Sequence, residues 1–62
     1  MSIVRQVELF EGRDGQWYWR LEARNGETLA HSEGYTRKWS AKRTARLVAQ
    51  GFGAPLVIQG EP

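Results

Sequence analysis

The sequence predicts an α+β fold: an antiparallel three-stranded meander, one helix and a C-terminal strand, in the order β-β-β-α-β. Three observations predict it. Two glycine-bearing turn signals, Gly12-Arg13-Asp14-Gly15 and Asn25-Gly26, divide segments in which apolar and polar residues alternate. Residues 41–50 contain no glycine or proline and carry apolar side chains at helical spacing. Behind them lies a short apolar run, Ala54-Pro55-Leu56-Val57-Ile58-Gln59.

Strand 1 is expected at Val4–Glu11. A three-residue loop, Arg13-Asp14-Gly15, with glycine in the left-handed region sets Leu9 opposite Trp19 and Val7 opposite Leu21. A four-residue loop would turn Val7 and Leu9 outward, so the shorter one is preferred. Strand 2, Gln16–Arg24, points Trp17, Trp19, Leu21 and Ala23 to one face and Tyr18, Arg20, Glu22 and Arg24 to the other. A two-residue type I′ turn at Asn25-Gly26 leads to strand 3, Glu27–Ser32. That turn aligns Arg24 with Glu27, Glu22 with Leu29, Leu21 with Ala30 and Trp19 with Ser32. Large residues then face small ones, leaving a hollow for a helix to fill.

Ser40 is a suitable N-cap for that helix and Gly51 a suitable C′ residue. At about 100° per residue, Ala41, Thr44, Ala45, Val48 and Phe52 form one stripe. Lys42, Arg43, Arg46 and Gln50 form another, and Leu47 falls off the apolar stripe. Proline at the start of the last strand suits a position where no ladder N–H is needed.

Sixty-two residues make one domain, 1–62. A chain this short buries only about 60% of its unfolded surface, so small scaffolds recruit disulfides, a metal or a partner chain. There is no cysteine, and the single histidine has no cluster of carboxylates near it. No metal site and no cofactor are therefore expected, which leaves a very efficient core or pairing with a second copy of the chain.

No apolar run reaches the ~20 residues that cross a bilayer, and the N-terminus lacks a signal-peptide core. A cytoplasmic protein without membrane contact is expected. Charge is uneven. Residues 34–60 carry Arg37, Lys38, Lys42, Arg43 and Arg46 and no acid, whereas residues 1–33 carry four basic and six acidic side chains. Such a segment is a candidate polyanion-binding face, because phosphate contacts dominate nucleic-acid affinity. It can equally be a solvated face that promotes solubility.

On the outer sheet face, Phe10 is expected opposite Tyr18 and Arg20 opposite His31. Interleaved aromatic and basic side chains can stack on unpaired bases, though aromatics favour strands in any case. His31 with Glu8 or Glu33 is too little for acid–base catalysis, and no nucleophile motif accompanies it. No catalytic residue is assigned and no enzyme is expected. Gly51-Phe52-Gly53 follows a helix, the wrong order for a phosphate loop. Two functions fit: a protein-interaction or structural module, or nucleic-acid binding through residues 37–46.

Trp19-Arg20-Leu21, Asn25-Gly26-Glu27 and Ser32-Glu33-Gly34-Tyr35 followed by Lys38 and a short helix resemble the YegP-like family. The resemblance spans about residues 7–48. It implies a β-β-β-α unit with a further C-terminal strand, in a family of unknown function. Its units join by exchanging C-terminal strands, so a single-unit chain is implied to be a homodimer exchanging Pro55–Gln59. Thr44-Ala45, Trp39 and Gly51-Phe52-Gly53 depart from the pattern. The family has no established site residues to carry over. Composition and periodicity alone leave the last strand free to pair within its own chain.

Overall fold

The computed structural model describes residues 3–60; the chain ends of the 1–62 domain lie outside the described residues. Its elements are β1 (Val4–Glu11), β2 (Trp17–Ala23), β3 (Thr28–His31), α1 (Lys38–Phe52) and β4 (Leu56–Ile58). The strands form one sheet in the order β3-β2-β1-β4. β1 to β3 are antiparallel neighbours, and β4 runs parallel to β1. The sheet is thus mixed, which corrects the expected antiparallel meander with a separate strand. The helical crossover supplies the reason: it carries the chain across the sheet to the far edge, a connection that parallel neighbours require.

Both hairpins use the same loop. Gly15 donates its N–H to the Gly12 carbonyl and Gly12 to that of Gln16; Gly26 donates to Ala23 and Ala23 to Glu27. In each loop the central Asx side chain, Asp14 Oδ1 or Asn25 Oδ1, accepts the N–H two residues on, 3.0 Å away. In each a glycine has positive φ, 82° at Gly15 and 90° at Gly26. The first loop agrees with the expected three-residue connection. The second corrects the expected type I′ turn: no residue other than glycine has positive φ among those described, so Asn25 is not left-handed.

The longer loop shifts strand 3 by one residue. A bulge at Leu29 shifts it back, so Glu22 pairs with Thr28 while Leu21 still meets Ala30 and Arg20 still meets His31. A second bulge, at Arg5, brings Val4 onto the buried face with Val7 and Leu9. Beyond β3, Ser32 Oγ accepts the Trp19 N–H at 3.0 Å, and Trp17 and Tyr35 exchange backbone hydrogen bonds.

α1 begins two residues before Ser40. Its N-cap is Arg37, in extended conformation and without a side-chain cap bond. Ala41, Ala45 and Ala49, spaced one turn apart, are buried against the sheet. The core gathers Val4, Val7 and Leu21 with Ala45 and Ala49, flanked by Trp19, Val48, Ala54 and Leu56. Trp17 and Trp19 are only half-buried, so the bulk comes from β1 rather than from the tryptophans. Phe52, expected on the apolar stripe, is 50% exposed because the helix end overhangs the core.

The helix stops at Gly53, not at Gly51. Gly53 adopts φ 62°, ψ 30°; its N–H reaches the Gln50 carbonyl and that of Ala54 reaches Ala49. This is a Schellman closure, in which a left-handed residue suits glycine. Gly51 lies within the helix, and an added Cβ there meets open space. Gly51→Ala should therefore stabilise the fold by about 0.5–1 kcal/mol. Gly53→Ala should destabilise it by roughly 1–2 kcal/mol, the cost of a left-handed L-residue. Thermal melts that move both variants in the same direction would contradict this placement of the helix end.

β4 leaves this cap through Ala54-Pro55 and joins β1 of its own chain. Val7 N–H donates to Pro55 O at 3.0 Å, and Gln59 N–H to Leu9 O at 2.8 Å. Leu56 faces the core.

Candidate functional site

α1 carries two rows of side chains on the side away from the sheet. Trp39, Arg43 and Leu47 succeed one another at i, i+4 spacing, as do Lys42, Arg46 and Gln50 beside them. The inward alanines dictate this placement, since with 41, 45 and 49 buried, positions 39, 43 and 47 fall on the opposite side of the helix. Trp39 is 64% exposed and Leu47 61%. The six side chains line a shallow depression of about 370 Å³. A second, of about 540 Å³, lies toward the helix start among Thr36, Arg37, Lys38, Trp39 and Lys42. Trp39 and Lys42 border both.

The helix contains no acidic residue. Among the described residues, no ion pair joins Arg37, Lys42, Arg43 or Arg46 to a carboxylate. Lys38 behaves differently, its ammonium lying 5.2 Å from the centre of the Trp17 ring. The structure thus gathers Lys42, Arg43 and Arg46 along one side and places Arg37 at the N-cap. It adds Trp39, Leu47 and Gln50 to the same surface. The signal for Leu47 lay in the sequence, as an apolar residue off the apolar stripe.

The outer sheet face is organised otherwise. Phe10 and Tyr18 stack with ring centres 5.8 Å apart, and the Arg20 guanidinium lies 4.8 Å over Phe10. Arg20 Nε donates to Glu8 Oε1 at 2.8 Å, and Glu22 is 3.4 Å away. Gln6 Nε2 donates to Glu22 at 2.7 Å. Tyr18 donates its hydroxyl to Asp14. That bond holds the Asp14 carboxyl below its usual range and raises the Tyr18 phenol above its own. Phe10, Tyr18 and Arg20 therefore meet as expected, with their polar groups partnered inside the face. His31 pairs in register with Arg20, but its ring makes one long contact, 3.3 Å to Ser32 O. It borders neither depression.

Among the described residues, no three of His, Cys, Asp and Glu come together as a metal site. No described helix is long and apolar enough to cross a membrane.

Known proteins match the central part of the chain. The model of a domain of unknown function, DUF1508, matches residues 13–50, from the first hairpin loop to the last turns of α1. A UPF0339 protein of Neisseria meningitidis serogroup B is 37% identical over 41 residues, covering 66% of this chain and 73% of that protein. A UPF0339 protein of Neisseria meningitidis serogroup A / serotype 4A matches to the same extent. No solved structure gives a significant match. The YegP-like resemblance of residues 7–48 and these matches denote one family. With its model covering more than half of the sequence, the chain belongs to the DUF1508 family of domains of unknown function.

Proposed function

We propose that the chain is a non-enzymatic binding module that holds a polyanion, foremost a nucleic acid, on the outer face of α1. One observation carries this reading: Lys42, Arg43 and Arg46 line an open depression on a helix without acids, with no ion pair to a described carboxylate. Cations kept for solubility need no exposed tryptophan among them, and here Trp39 stands in the cationic row. Phosphate contacts release counterions, so log affinity should fall linearly with log salt, by about 0.7–0.9 per phosphate neutralised. Fluorescence anisotropy of a labelled oligonucleotide across salt concentrations tests this. Binding that holds constant as salt rises overturns the reading. Charge reversal of Lys42 and Arg46 should reduce both the affinity and the slope.

A second reading is self-association through the C-terminal strand, with the chain as a structural or protein-interaction module. The exposure of Val57 on β4 and of Phe52 at the end of α1 favours it, since uncovered apolar side chains invite a partner. The bonds from Val7 and to Leu9 would be made equally well by Pro55–Gln59 of a second copy. Sedimentation should then give twice the 7.1 kDa chain mass; a single-chain mass at all concentrations rules out the exchange.

A further inference from the structure

The geometry points to single-stranded nucleic acid as the ligand of the α1 face, with an unpaired base stacked on Trp39. This inference rests on the polyanion reading and names its substrate class. Cations alone attract any polyanion and do not distinguish a duplex from a strand or from bare polyphosphate. An aromatic platform does, because only an unpaired base offers its ring face.

Trp39 has the placement of such a platform. It is the most exposed of the large aromatic side chains described and stands in the first turn of α1. Lys42 and Arg43 follow at i+3 and i+4 and so share its side of the helix. Helical side chains lean toward the N-terminus, which carries both cations back over the turn that holds Trp39. The two depressions meet at Trp39, so a strand can pass along the helix with that ring at its middle. From Trp39 to Leu47 the helix rises about 12 Å, room for three or four stacked nucleotides at about 3.4 Å each. Leu47 supplies an exposed apolar contact at the far end, with Arg43 and Arg46 between for the phosphates.

The other tryptophans cannot take this role. Trp17 has Lys38 over its ring, and Trp19 packs against the core. The aromatic pair on the outer sheet face has Arg20 over Phe10 already.

The test compares three probes at one salt concentration: a ten-residue oligothymidylate, a ten-base-pair duplex and inorganic polyphosphate. Wild type, Trp39→Ala and Trp39→Phe are measured against each. The single strand should bind tightest and quench tryptophan emission. Trp39→Ala should weaken it about fivefold to a hundredfold, given the usual stacking contribution per base, and Trp39→Phe should restore most of the loss. Polyphosphate binding should not change with either variant. Circular dichroism should show both variants folded, since Trp39 is largely exposed. Equal affinity for all three probes overturns the stacking inference while the polyanion reading stands. So does an unchanged affinity of Trp39→Ala for the single strand. No binding of any probe overturns both.

Discussion

Leu9→Ala should leave the domain largely unfolded at 25 °C. Leu9 and Val7 are the two largest fully buried side chains, each at 0% exposure. Leucine-to-alanine changes at such sites cost about 2–5 kcal/mol, the upper part where the surroundings cannot close in. Here they cannot. The fully buried residues of the helix above are alanines, and a Cβ has no rotamer with which to fill a void. Beside Leu9, the Trp19 backbone is held by Ser32, whose Oγ accepts the Trp19 N–H and whose N–H donates to the Trp19 carbonyl. A core of this size rarely supplies more than about 3–5 kcal/mol, so one cavity can remove most of the stability. Leu9→Met, which conserves volume, should cost less than about 1.5 kcal/mol. Urea titration followed by circular dichroism reads both variants. A Leu9→Ala midpoint within error of wild type would mean that the chain's stability lies outside the core described here, at an interface between copies.

The register of β1 on β2 was legible because two constraints agreed. The Arg13-Asp14-Gly15 loop and the burial of Val7 and Leu9 demand the same alignment. Between β2 and β3 the alignment at Leu21 and Arg20 was right for a reason that was not. Asn25-Gly26 has the signature of a two-residue turn, yet it is the end of a loop like the first, Arg-Asx-Gly followed by an amide or acid. The one-residue error vanishes at the Leu29 bulge, and no local signal marks a bulge on a strand whose outer edge is free. The inward turn of Val4 is hidden for the same reason, since the bulge at Arg5 breaks the period of two along β1.

The helix ends differ from the expected ones for another reason. Ser40 and Gly51 have the right chemistry for caps, but the caps form at Arg37, without a side-chain bond, and at left-handed Gly53. Three alanines at i, i+4 and i+8 leave the sheet-facing row free of bulk, so the helix can extend over β1 from Lys38 to Phe52. Of the candidate face, the cations were legible as a run of charge without acids. The part played by Trp39 and Leu47 was not, because it depends on which residues the alanines turn outward. The Phe10–Tyr18–Arg20 cluster followed from register alone, and its internal ion pairs needed side-chain geometry.

Truncation after Gly53 should abolish cooperative folding even though the chain would keep three strands and the whole helix. β4 spans only Leu56–Ile58, but it covers the edge of β1, the strand that holds both fully buried large side chains. Removing it leaves the Val7 N–H and the Leu9 carbonyl without their partners, Pro55 O and Gln59 N. Each lost bond costs about 0.5–1.5 kcal/mol, and uncovering the half-buried Leu56 costs less than the roughly 1.5–3 kcal/mol of a fully buried leucine. Together these match what a domain of this size has to lose. A synthetic peptide of residues 54–62 should restore the melting transition in proportion to its concentration, as expected of a ligand that binds only the folded state. Such rescue also bears on exchange between copies. A strand that folds the domain when supplied in trans can be supplied by a second chain, and full-length protein should then show a melting temperature that rises with its own concentration. If the truncated chain melts cooperatively at the wild-type temperature, β4 is an ornament on the sheet and neither its pairing within the chain nor its exchange holds the fold together.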